Sequence, residues 1–179
     1  KTFTAVKWIC DHVLPRNIKV LWFAHTYFLL DQAAAAFNEY ACWIPEPKET
    51  LNIRVVSGHP SHDRAANIEV TDDLVVMTTQ TAIRNLYPEG RDETGQTITT
   101  RFNEFIKNCR DTGLFIVLDE AHHAPAYGCR NFLIGEKDGR LGLRKLVSRK
   151  RGYRRKHPFS LRVFSIGTKT TSVDASTKM

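Results

Sequence analysis

The stretch LFIVL at residues 114–118 runs directly into Asp119-Glu120-Ala121-His122-His123. Five consecutive apolar residues, with no polar residue on either parity, predict a strand buried on both faces, as central strands of parallel sheets are. Such a strand needs helices above and below it. Two adjacent carboxylates at its tip are costly to hold close together unless a cation or a water molecule uses them. One known use of such a pair divides the work: the first carboxylate holds Mg²⁺ and the second orients and deprotonates an attacking water. The bland alternative is two solvated carboxylates on a loop. A whole strand before the pair, and Ala121-His122 after it, argue against that alternative.

Working outward, strand-like and helix-like segments alternate. IKVLWFA (18–24), LNIRVVS (51–57), DLVVM (73–77) and the segment 161–166 read as further strands. Val6, Ile9, Cys10, Val13 and Leu14 recur at helical spacing until Pro15. Residues 27–41, 80–86, 100–109 and 141–151 read as helices, and YPEGRDETGQ (87–96) as a surface loop. Strands alternating with helices of this length imply parallel βαβ units. The expected fold class is therefore α/β, a mostly parallel sheet with helices on both faces.

In such sheets ligands bind beyond the carboxyl ends of the strands. Those ends read His25-Thr26, Gly58-His59, Thr78-Thr79-Gln80, Asp119-Glu120 and Gly167-Thr168-Lys169-Thr170. Every expected strand thus ends in small, hydroxylated or ionisable residues. A purely structural protein has no reason to do this five times in succession.

The chain has 179 residues, 42% hydrophobic and 25% charged, which excludes wholesale disorder and fits one domain. No apolar run approaches the ~20 residues of a membrane helix. Cys10, Cys42, Cys109 and Cys129 are far apart, with no CxxC pair. Reduced thiols and a cytoplasmic setting fit better than a disulfide framework or zinc ribbon. The net charge of +7 is unevenly spread. Nine of the 26 basic residues stand in segment 139–157, which has no acid, leaving 17 basic against 19 acidic residues and a net of −2 elsewhere. A patch for a phosphate backbone and a solvated charged face are equally good readings of that segment.

Leu118-Asp119-Glu120-Ala121-His122 resembles the DEAH box of superfamily 2 helicases and related nucleic-acid translocases. Residues 20–32 (VLWFAHTYFLLDQ) resemble that family's motif Ia, and residues 75–83 (VVMTTQTAI) a later motif with Thr before a helix. With Ala124 and Tyr127 following, the box is most similar to the helicase subunits of type I and type III restriction enzymes. The resemblance implies a RecA-like P-loop NTPase domain over residues 1–171, lacking its first strand, with 172–179 as a tail or connection to an absent second motor domain. It implies ATP and Mg²⁺ as cofactors. Lys1-Thr2 would be the end of the phosphate loop, with Lys1 reaching the phosphates and Thr2 ligating Mg²⁺. Asp119 would hold Mg²⁺, Glu120 would activate water, and His122 would link the nucleotide site to the moving parts. His25, Thr26, Gly58, Thr78, Thr79 and Gln80 would face nucleic acid, with DNA favoured over RNA. Thr168 and Thr170 would couple hydrolysis to movement. The second RecA-like domain of the same polypeptide, and nuclease or methyltransferase subunits, are the implied protein partners.

The sequence also departs from that family. Lys169 and Thr171 stand where motif III has a small residue and a proline, and Thr26 stands where motif Ia has an arginine. With the phosphate-loop glycines missing, the chain alone is expected to be inactive. A non-catalytic nucleic-acid-binding remnant of a helicase domain is the alternative these departures favour. A metal-dependent hydrolase using Asp119, His122 and His123 is a third reading. His59 and His62 are spaced His-x-x-His-Asp, which does not match the pattern of binuclear zinc hydrolases. Trp8, Trp22, Trp43 and Tyr87 read as packing residues rather than base-stacking platforms.

Overall fold

A computed structural model describes residues 2–46, 48, 50–88, 98–119, 132–133 and 142–143, and the backbone of 162–166. Its elements run α1 (Thr2–His12), β1 (Lys19–Ala24), α2 (Tyr27–Tyr40), β2 (Ile53–Val56), β3 (Leu74–Thr78), α3 (Thr79–Leu86), α4 (Arg101–Thr112), β4 (Leu114–Asp119) and β5 (Arg162–Ile166). The five strands form one sheet in the order β2-β3-β1-β4-β5. Every pairing is parallel. The expected α/β class and parallel sheet are what the structure has. The expected loop at 87–96 and helix at 141–151 fall largely outside the described residues.

Alternation along the strands divides the core into two layers. Leu21 and Phe23 of β1, Val75 and Met77 of β3, and Leu114, Ile116 and Leu118 of β4 face one side. There they pack against Ala82 and Leu86 of α3 and Phe102, Phe105 and Ile106 of α4. Val20 and Trp22, Leu74 and Val76, and Phe115 and Val117 face the other side, against Val6 and Ile9 of α1 and Leu30, Ala33 and Phe37 of α2. Trp22 meets Phe37 edge to face with ring centroids 5.6 Å apart. Each such fully buried large side chain contributes about 1.5–3 kcal/mol of transfer free energy. Helices on both faces explain why β1, β3 and β4 are apolar at every position but one end residue each: Lys19, Thr78 and Asp119.

Local chemistry sets where the elements begin and end. Thr26, Thr78 and Thr100 each cap the following helix, accepting from the backbone N–H of Leu29, Thr81 and Asn103. Gly113 ends α4 at φ 99°, a conformation that favours glycine, and β4 starts at the next residue. The loop after edge strand β2 folds back to form a parallel bridge between Val56 and Asp63, which blunts the free edge. Among the described residues no helix is long and apolar enough to cross a membrane.

Candidate functional site

The register brings the strand ends level. Val56 pairs with Met77, Met77 with Phe23, Phe23 with Leu118, and Leu118 with Ser165, a single row across all five strands. One residue further on stand Ser57, Thr78, Ala24, Asp119 and Ile166. Within that row Ala24 pairs with Thr78, and Asp119 with Ile166. Asp119 is therefore fixed at the tip of a strand that has neighbours on both sides. It is 8% exposed.

Thr78 uses its hydroxyl twice. It accepts from Thr81 N–H at 3.3 Å and donates to Thr81 Oγ1 at 2.8 Å. Its hydroxyl is thus committed to capping α3, and the half-buried Thr79 and exposed Gln80 are the first residues of that helix. Thr26 accepts from Leu29 N–H at 3.4 Å and is exposed, as are His25 and Gly58. Thr2 is the first residue of α1 and is half-buried. The structure therefore gathers His25, Thr26, Gly58, Thr78, Thr79, Gln80 and Asp119 at one edge of the sheet. Lys1, Glu120, His122, Thr168 and Thr170 lie outside the described residues, as do most of segment 139–157, His123 and Cys129.

The loop after β2 holds its two histidines in hydrogen bonds to neighbouring side chains. His62 places Nδ1 2.7 Å from Ser57 Oγ and Nε2 2.8 Å from Asp31 Oδ1 on α2. Its side chain is only 4% exposed. His59 lies with its Nδ1 2.6 Å from Ser61 Oγ, and its backbone N–H donates to Ser57 Oγ at 2.9 Å. Both imidazoles are thus engaged by hydroxyls or a carboxylate. Among the described residues no group of three or more His, Cys, Asp or Glu could hold a metal ion. The hydrogen-bonded chain Ser57–His62–Asp31 escaped sequence reasoning because Asp31 is 31 residues from His62. The consecutive aromatics Tyr27-Phe28, directly after a capping Thr, were the available signal for this corner.

The tryptophans divide. Trp22 is buried, and Trp8 stacks on His12 at 5.3 Å and lies 5.7 Å from Phe115. Tyr87 packs against the core, whereas Trp43 is 72% exposed. Two ionic ties, centred on Asp73 and Asp72, sit towards the opposite, amino edge of the sheet. Asp73 accepts from Lys48 Nζ at 2.7 Å, Lys19 Nζ at 3.3 Å and Asn52 N–H at 3.1 Å. Burial pushes its carboxyl up, but these hydrogen bonds and the two lysine charges outweigh it and hold the group below the usual carboxylate range. Arg54 grips Asp72 through Nε and Nη2 at 2.7 and 3.1 Å, and that hydrogen bonding raises the guanidinium further above its ordinary value. These are structural ties and none lies on the carboxyl edge.

The sequence model of the family described as "Type III restriction enzyme, res subunit" matches residues 1–143. No curated protein gives a significant match. That match covers most of the chain and the carboxyl ends of β1 to β4, and it agrees with the parallel α/β sheet. The chain belongs to the type III restriction enzyme res subunit family, a helicase-family domain of the superfamily 2 motor type.

Proposed function

We propose that this chain is the first motor domain of an ATP-dependent helicase or translocase that couples ATP hydrolysis to movement on nucleic acid, DNA in preference to RNA. The observation that carries the reading is the level row of strand ends with Asp119 at the tip of β4. Membership in a helicase family supports ATP-driven nucleic-acid chemistry at the level of the family. The donor chemistry fits the group the family implies. A carboxylate fixed on a rigid strand and a hydroxyl on the first residue of α1 are both oxygen donors, as a hard cation such as Mg²⁺ requires.

In this reading Asp119 and Thr2 hold Mg²⁺ and Lys1 faces the phosphates. Mg²⁺, when bound, neutralises charge on the phosphate oxygens. Glu120 accepts the proton of the attacking water, and His122 passes the state of the nucleotide site to the rest of the motor. His25, Thr26, Gly58, Thr78, Thr79 and Gln80 line the nucleic-acid side. Thr168 and Thr170 couple the two, and a second RecA-like domain of the same polypeptide closes the nucleotide site. Nuclease or methyltransferase subunits are the proposed assembly partners.

The test is Glu120→Gln in the full-length protein. The variant should bind ATP as the parent does and hydrolyse it about 10²–10⁴-fold more slowly, the usual contribution of a positioned base. Normal turnover would overturn the assignment. A parent protein that binds nucleic acid but never hydrolyses ATP would instead favour the non-catalytic remnant.

A further inference from the structure

The corner where α2 meets the loop after β2 holds exposed rings on a rigid footing. The Tyr27 ring lies 5.3 Å from the His59 imidazole and 6.0 Å from that of His62, and the two imidazoles are 5.3 Å apart. Behind them the Ser57–His62–Asp31 chain ties the loop to α2. Tyr27 is still 44% exposed and Phe28, the next residue, 75% exposed. A phenyl ring this open, in the first turn of a helix whose other face is core, contributes little to folding. Tyr27, with its hydroxyl near Gly58, closes one side of the corner.

We propose that Tyr27, Phe28 and His59 form a stacking site for an unpaired base of single-stranded nucleic acid. The proposal rests on the nucleic-acid half of the reading above. A nucleobase is a flat ring with polar edges, which suits aromatic faces beside a hydrogen-bonding imidazole. In a duplex those faces are covered by neighbouring base pairs, so the ligand is a single strand. The positive end of the 14-residue helix α2 opens at Tyr27, beside the exposed Thr26, and complements the phosphates flanking a stacked base. Asp31, bonded to His62 Nε2 but with its side chain 63% exposed, opposes them, so ring stacking and not charge carries the affinity.

The experiment measures binding of the 179-residue chain to a labelled oligothymidylate, to the matching duplex, and to an abasic strand of equal length. The parent should prefer the oligothymidylate. Phe28→Ala and Tyr27→Ala should each weaken that binding roughly 5- to 100-fold, the range for loss of one base–aromatic stack, and leave the abasic strand unaffected. Both sites are open to solvent, so the thermal melting of Phe28→Ala should match the parent. Phe28→Trp should retain binding and show tryptophan quenching by the oligothymidylate beyond that of the parent. Three results would each overturn the proposal: equal oligothymidylate affinity in parent and both alanine variants, a parent that binds no single strand, or a parent whose self-association Phe28→Ala abolishes while oligonucleotide binding stays unchanged. Failure here leaves the hydrolysis test of Glu120→Gln standing on its own readout.

Discussion

Cys10 and Cys109 show how burial decides chemistry at the level of one residue. Loss of solvation pushes both thiols up to about 12, helped for Cys10 by the nearby charge of Asp11 and opposed for Cys109 by Lys19. A thiolate is the reactive form, so neither side chain is a nucleophile near neutral pH. Cys42 is exposed in the short turn that follows α2. Iodoacetamide at pH 8 should therefore label Cys42 within minutes and leave Cys10 and Cys109 unmodified until denaturant is added. Peptide mass mapping reads this directly. Labelling of Cys10 at the rate of Cys42 would refute the packing of α1 against β1 and β4.

Among the elements, one of the three capping threonines does more than start a helix. Thr100 accepts from Asn103 N–H at 3.2 Å and donates to the Asn85 carbonyl at 2.7 Å, so it also joins the start of α4 to the end of α3. Thr100→Val keeps the shape and removes both bonds. It should cost about 1–2 kcal/mol in urea unfolding, and Thr100→Ser should restore most of that. Equal stability of the Val and Ser variants would show that the cap contributes nothing. Elements of this kind were legible in the sequence. The runs Val20–Ala24, Leu74–Met77 and Leu114–Leu118 within β1, β3 and β4 are apolar on both parities because helices cover both faces. Boundaries shifted where a distant group intervenes. The strand expected at 51–57 shrinks to Ile53–Val56 because Asn52 spends its backbone on Asp73: its N–H donates to the carboxylate, and its carbonyl accepts from Asp73 and Leu74. The candidate site divides in the same way. The strand ends follow from local pattern, so His25, Thr26, Gly58, Thr78 and Asp119 could be named in advance. The footing of the Tyr27 corner depends on side chains dozens of positions apart, which no local pattern encodes.

At the scale of the whole molecule the two edges of the sheet are chemically opposite. The carboxyl edge carries hydroxyls, imidazoles and Asp119, and the amino edge carries the buried tie of Lys19, Lys48 and Asp73. That tie joins the start of β1, the start of β3 and the segment leading into β2, so it holds three neighbouring strands in register from below. Its loss should loosen the platform on which the carboxyl edge stands. Because the folded carboxyl is held below the ~3.9 of an unfolded chain, its stabilisation is present above that value and is lost as pH falls through the folded one. Asp73→Asn leaves Lys19 buried without its charge partner and should cost about 3–5 kcal/mol at pH 7. The gap between variant and parent should then narrow as pH is lowered from 5 towards 2, since the parent's carboxyl is neutralised while the amide, already neutral, does not titrate. Urea midpoints of both proteins across that window give the answer. Two curves running parallel down to pH 2 would show that Asp73 titrates alike in the folded and unfolded chain, and that the acid sensitivity of the domain arises elsewhere.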